Sequence, residues 1–386
     1  MQPDDVVRTR LRRQQLRAPH AATVDDALRS LLAVQSQEFA YARWSLAQRT
    51  GRATAAAVEQ ALADGNVLRT HILRPTWHFV HRDDLGWLMA LSAPRLHQGN
   101  KGMYRQTGLD EEAAARSGAI LAEAVAGGAH KTREELAVIL DGAGFPSKGF
   151  GFIYILMHAE ISRILVSGVP VLSAGGALKQ SYALFDERVN GSAGGALDRE
   201  AALAQLALRY FSSRGPATIK DCAVWSGLTM KDVREGLRLA ADLAPGALGT
   251  LTADGLDFHL AAEELDAVAG SAAAAGPEIG GLEVNRPGTD RPRVDLIQCY
   301  DEYVMGYSQT RHYLGGSAPS FPTGDAPLHV VLLDGRLAGW WRHGFAGGIC
   351  ELDVRMDRPA TGAVKQALDA EVARYSRFLG IPAKLV

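Results

Sequence analysis

The sequence predicts an α+β chain: three tandem winged-helix units, each a group of short helices closed by a β-hairpin, followed by a small β-rich domain. Three observations carry this. Apolar residues recur at helical spacing behind Thr caps. Each helical group then runs into paired β-rich stretches around Gly or Pro. The C-terminal quarter instead alternates apolar and polar positions.

The first unit is placed at residues 1–110. Asp4 or Asp5 is expected to cap a helix reaching residue 17. Thr23 with Asp26 reads as a capping box, and Val24, Leu28, Leu31 and Leu32 follow on one face. A helix with Trp44 and Leu46 stops at Gly51, and Thr54 starts another that ends by Gly65. The runs 67–73 and 76–80 around Arg74-Pro75 read as a hairpin. The second unit, 111–192, has Thr132 and Glu135 opening a helix, a helix over 150–165, and strand-like runs 169–172 and 181–185 around Gly175-Gly176.

The third unit, 193–265, has a helix over 200–211, a Thr218 cap, the turn Ser226-Gly227-Leu228 and a helix opened by Thr229 with Asp232. A hairpin over 250–260 closes it. Residues 265–292 are Ala-, Gly- and Pro-rich and read as a linker. The last domain, 293–386, carries Asp334-Gly335 as a two-residue hairpin turn, an alternating strand over 349–356 and a closing helix from Thr361.

Composition narrows the function. At 386 residues with 47% apolar and 22% charged side chains, the chain can bury several cores. No apolar run approaches the ~18 residues of a membrane span. Met1 to Leu16 is polar and arginine-rich, which predicts no secretory signal. Cys222, Cys299 and Cys350 lie too far apart for a local metal motif, so no metal or other cofactor is expected, and a reduced cytoplasmic setting fits. The net charge of −2 divides unevenly. Residues 1–110 hold 15 basic against 10 acidic side chains, a net of +5, while the remainder holds 26 against 33, a net of −7. That asymmetry suits one face meeting a polyanion, with Arg8, Arg10, Arg12, Arg13, Arg69 and Arg74 as candidate phosphate contacts.

Walker, Gly-x-Ser-x-Gly and His-Glu-x-x-His signatures are absent. The anomaly is Gln35-Ser36-Gln37 after the apolar run 31–34. A continuing helix would bury Gln35 and turn Gln37 away from it. An extended segment would put both amides on one side, two residues apart. On the first hairpin, alternation puts Thr76 and His78 on one face and Trp77 and Phe79 on the other.

Four segments resemble a known family. Val34-Gln35-Ser36-Gln37-Glu38, the stretch from Arg69 through Thr76-Trp77-His78 to Val80, the stretch from Leu208 through Gly215-Pro216 to Leu228, and Asp301-Glu302-Tyr303 with Gly306-Tyr307 are similar, in order, to the AlkZ-like winged-helix DNA glycosylases. The resemblance implies a catalytic Gln-x-Gln motif at Gln35 and Gln37, with Ser36 where the family usually has an apolar residue. It implies hydrolysis of the N-glycosidic bond of alkylated purines, N7-alkylguanine, bulky adducts or interstrand crosslinks, in DNA repair or self-resistance to alkylating agents. DNA contacts are expected at Arg10, Arg13, Arg69, Arg74, Thr76 and His78. The partner is expected to be double-stranded DNA bound by a monomeric, nucleoid-associated protein away from membranes. The competing reading is a non-catalytic transcription regulator with helix 229–239 in the major groove.

Overall fold

A computed structural model describes residues 1–173, 178–189, 197–268, 291–315 and 329–386. The expected Gly175-Gly176 loop and most of the expected linker lie outside these residues. The chain begins with α1 (Pro3–Arg13), α2 (Val24–Leu31), β1 (Ala33–Gln35), α3 (Phe39–Gln48) and α4 (Ala55–Ala63). β2 (Val67–His71) and β3 (Trp77–His81) follow. Thr23 and Asp26 close a reciprocal capping box on α2, and Thr54 caps α4. Asp4 and Asp5 do not cap; they lie inside α1, which starts after Gln2 and ends at Arg13 rather than residue 17.

The next stretch holds α5 (Arg82–Gln106), α6 (Glu111–Ala124), β4 (Lys131–Thr132), α7 (Arg133–Gly142) and α8 (Gly149–Ile161). It continues through β5 (Leu165–Ser167), β6 (Val171–Leu172), β7 (Leu178–Lys179), β8 (Ser181–Leu184) and α9 (Phe185–Val189). Sequence pattern missed α5 and α6. Pro94 and three glycines interrupt the apolar stripe of α5, while Asp83 and Asp84 in its first turn complement the helix dipole. β5 pairs with β8, so the strand here begins four positions before the expected 169.

α10 (Arg199–Arg214), α11 (Ile219–Ser226) and α12 (Met230–Leu243) precede the hairpin β9 (Leu248–Ala253) and β10 (Leu256–Ala261). Thr218 and Thr229 both close capping boxes. The last domain is a five-stranded sheet in the order β11 (Val294–Ile297), β12 (His329–Leu333), β13 (Arg336–Ala346), β14 (Ile349–Met356), β15 (Ala383–Leu385). A closing helix, Gly362–Leu379, packs on it. β15 runs parallel to β14 and was not legible in the sequence.

Two cores meet at β1. One joins β2 and α5 to α10–α12 through Leu68, Leu88, Leu206, Tyr210 and Trp225, and takes Leu32 and Ala33 from the β1 region. The other joins α2–α4 and β3 to the last sheet through Trp44, Phe79, Trp341 and Tyr375, and takes Val34. α1 packs away from its neighbours in sequence. Val7 and Leu11 lie against Tyr303 and Leu332, and Val6 lies with Phe258 and Tyr313. At Gly335, φ is +81° and an added Cβ would sit 2.6 Å from Leu11 and Val7, so both the turn and the packing require glycine.

Candidate active site

α2 cannot continue past Leu31, because Leu32 adopts φ 68° and turns the chain into an extended run. β1 then pairs antiparallel with β3, with Gln35 opposite His78, and Ser36 N donates to Trp77 O at 2.8 Å beyond it. Of the two conformations open to Gln35-Ser36-Gln37, the structure does not have the helix: the chain runs extended against β3 through Gln35 and the Ser36 N–H, and Gln37 lies in the bend that leads into α3. Gln35 is 2% exposed, and its Oε1 accepts a 2.7 Å bond from Arg74. Gln37 is half-buried, and its Oε1 accepts from the Trp77 backbone N–H at 3.4 Å. Among the described residues, no hydrogen bond engages either amide nitrogen.

The hairpin tip supplies the groups around these amides. Leu73, immediately before Arg74, has φ 63°, so strained non-glycine residues precede both β1 and Arg74. His78 is 0% exposed. Its Nδ1–H donates to Thr76 O at 3.0 Å, leaving Nε2 to face the Arg74 guanidinium at 3.5 Å. Burial first, then the Arg74 charge, hold its pKa well below 6.5, so the imidazole is neutral. Burial also lowers the Arg74 pKa, with Glu302 opposing.

Arg69 braces the same segment from beneath. Two of its guanidinium nitrogens donate to Ser36 O at 3.0 and 2.8 Å, and its plane lies 4.4 Å over the Trp77 ring. Burial pulls this guanidinium down to about 10. Trp77 is held in turn by Glu160 of α8, which accepts from the indole N–H at 3.3 Å and bonds His71. Glu160, Arg214 and Gln298 had no signal in the sequence. Their partners lie dozens to hundreds of positions away.

Burial speaks against three of the expected DNA contacts, Arg10, Arg69 and His78, and the other expected arginines of α1 are paired. Arg10 is 1% exposed; its guanidinium bonds Pro216 O at 2.7 and 3.0 Å and Thr310, and lies 3.7 Å over Tyr307. A phosphate has no access to it. Arg13 bonds Ser212 O at 2.7 Å and pairs with Glu263. Arg69 and His78 are buried as described, and the Thr76 hydroxyl is buried with no partner among the described residues. Arg8 pairs with Asp5 and Arg12 with Glu264. Arg17 pairs with Asp295 and Arg49 with Asp301. Much of the excess positive charge of residues 1–110 thus answers carboxylates of the later segments rather than forming a free basic face.

Among the described residues, no group of three or more His, Cys, Asp or Glu side chains could hold a metal ion. No helix of these residues is long and apolar enough to cross a membrane.

The family model for AlkZ-like DNA glycosylases matches residues 28–378. A match of that extent defines the class of the protein: it is a DNA glycosylase, a hydrolase acting on DNA. The chain belongs to the AlkZ-like family. Its fold is similar to that of the DNA glycosylase AlkZ of Streptomyces sahachiroi, with a TM-score of 0.72, 19% identity and 99% of each chain covered. No curated protein sequence matches the chain.

Proposed function

We propose that the protein excises alkylated purines, N7-alkylguanine foremost, from double-stranded DNA by monofunctional, metal-independent hydrolysis, with Gln35 and Gln37 positioning the water. Bulky adducts and interstrand crosslinks belong to the same chemical class, which suits repair or self-resistance to alkylating agents. On this reading the three helix-and-hairpin units are winged helices that dock the duplex. The observation that carries it is that both amides of Gln35-Ser36-Gln37 bond the first hairpin, one oriented by Arg74 and the other by the Trp77 N–H.

The chemistry suits amides. N7-alkylguanine is already cationic, so the electron pair of the breaking C1′–N9 bond neutralises the base as it leaves. The water oxygen bonds to C1′ and releases a proton. Gln35 and Gln37 then need only orient the water, since an amide both donates and accepts hydrogen bonds. Glu38, half-buried at the start of α3, is the nearby carboxylate that could receive that proton. The regulator reading fits less well. Helix α12 carries Lys231, Arg234 and Arg238 against Asp232, Glu235 and Asp242, a net charge of zero where a major groove calls for a basic face, and Arg238 is taken up by Glu235 and Asp242.

The test is base release from a duplex carrying one 7-methylguanine. Gln35→Ala with Gln37→Ala should lower the single-turnover rate by about 10²-fold while leaving DNA affinity nearly unchanged, as expected for groups acting in the transition state. Wild-type excision by the double variant would remove both residues from the mechanism.

A further inference from the structure

β1 has a partner strand on one edge only, yet its other edge is not bare. Val34 and Ser36 face β3. The backbone groups of residues 31, 33 and 35 that point the other way are met by side chains. Arg214 of α10 donates to Leu31 O at 2.8 Å and to Ala33 O at 3.1 Å. Glu302 accepts from Gln35 N at 2.8 Å, and Gln298 donates to Gln35 O at 3.1 Å. Arg214 and Glu302 bond each other at 2.6 Å with both side chains 0% exposed, and Trp225 adds an indole N–H to Glu302 at 2.7 Å.

We infer that Arg214, Glu302 and Gln298 act as positioning residues for base excision, by standing in for a missing neighbour strand along the edge of β1 that carries Gln35. This rests on the role proposed above for Gln35 and Gln37. The residue types fit the task. Glu302 takes donors on both oxygens, from Gln35 N on one and from Arg214 and Trp225 on the other. Only a carboxylate accepts on both sides; an amide would turn an N–H toward one of these donors. Arg214 spans the last carbonyl of α2 and the first of β1 with two separate guanidinium nitrogens, which a planar fork reaches and a lysine ammonium does not. A shift of β1 along this edge would move the Gln35 amide relative to its water without touching DNA.

The neighbouring ion pair supplies the control. Arg49 and Asp301 are equally buried and bond at 2.8 Å, but their other partners, Ser45 through its carbonyl and hydroxyl, Gln14 and Tyr303 N, lie off β1, although the Ser45 hydroxyl also accepts from Gln298. Arg214→Lys, Glu302→Gln, Arg49→Lys and Asp301→Asn are compared in the full-length protein for single-turnover release of 7-methylguanine, duplex affinity and melting temperature. Arg214→Lys and Glu302→Gln should each lower the excision rate at least tenfold, with affinity held within about twofold. The two control variants should lose less than threefold at a comparable drop in melting temperature. If Glu302→Gln does not fold, Arg214→Lys decides alone. Equal rate losses in both sets, or none in either, overturn the positioning role while leaving Gln35 and Gln37 intact. No base release by the wild-type protein overturns both together.

Discussion

The guanidinium of Arg74 lies 2.7 Å from Oε1 of Gln35 and 3.5 Å from Nε2 of His78, so one cation at the hairpin tip sets the direction of the Gln35 amide and faces a neutral imidazole. From sequence, Arg74 was expected on a phosphate. Arg74→Met should lower single-turnover excision by about tenfold, since it frees an oriented group. The dependence of DNA affinity on salt should keep its slope. A phosphate contact would instead flatten that slope by about one unit with little change in rate.

Arg10 is expected to matter for stability and not for DNA. Arg10→Ala removes a buried guanidinium from Pro216 O, Thr310 and the Tyr307 ring. The unmet carbonyls and lost packing should cost about 3 kcal/mol, read as a lower urea midpoint. Salt titration of DNA binding should give the wild-type slope.

His78 gives the fold a pH dependence of definite sign. Its folded pKa is depressed by burial and by Arg74, while the unfolded side chain titrates near the ordinary ~6.5. The unfolded chain therefore binds the proton first. This contribution is present above about pH 6.5 and is lost as pH falls toward the folded value. Burial lowers His158, His329 and His343 in the same direction. Urea midpoints between pH 5 and 8 should fall on the acid side, and His78→Phe should reduce that slope by up to about 1.4 kcal/mol per pH unit.

Glu371 of the closing helix carries the opposite sign. Burial pushes its carboxyl up to about 7, with Arg374 opposing. The stabilisation is fully present below the ordinary carboxyl range of ~4.3 and is lost as pH rises through about 7. Glu371→Gln should keep acceptor contact with the Leu296 N–H and gain stability relative to wild type at pH 8 but not at pH 4. Differential scanning at both pH values checks it.

Gly227 ties the turn of α11 and α12 to the hairpin tip. Its φ is +71°, and an added Cβ would stand 2.4 Å from Leu73 O. Gly227→Ala should lose both stability and excision, because Leu73 precedes Arg74. Gly246→Ala, at φ +77° with nothing within 4 Å, should show the conformational cost alone, about 1 kcal/mol, and keep its rate.

What was legible in the sequence was local. Thr23 with Asp26, Thr132 with Glu135, and Thr229 with Asp232 announced helix starts that depend on residues three apart. Asp334-Gly335 announced a turn that depends on two. The three-residue β1 was too short to carry a period, so the conformation of Gln35 stayed open until β3 and its side-chain neighbours were in place. The same limit misled the charge reading. Arg10, Arg12 and Arg13 look like a basic patch until Thr310, Glu264 and Glu263 arrive from far along the chain.

The edge of β1 sets an order of events during synthesis. Residue 35 leaves the ribosome early, but the side chains that bond its backbone sit at positions 298 and 302, and the one that holds Ala33 before it sits at 214. These closures span up to 267 residues of chain, separations that make folding slow because loop entropy is lost before the contacts form. A nascent or truncated chain ending before residue 298 carries both glutamines and Arg214 but lacks Gln298 and Glu302, the two side chains that bond the Gln35 backbone. Competence to cut a glycosidic bond is thereby deferred until the last domain has been made and has docked.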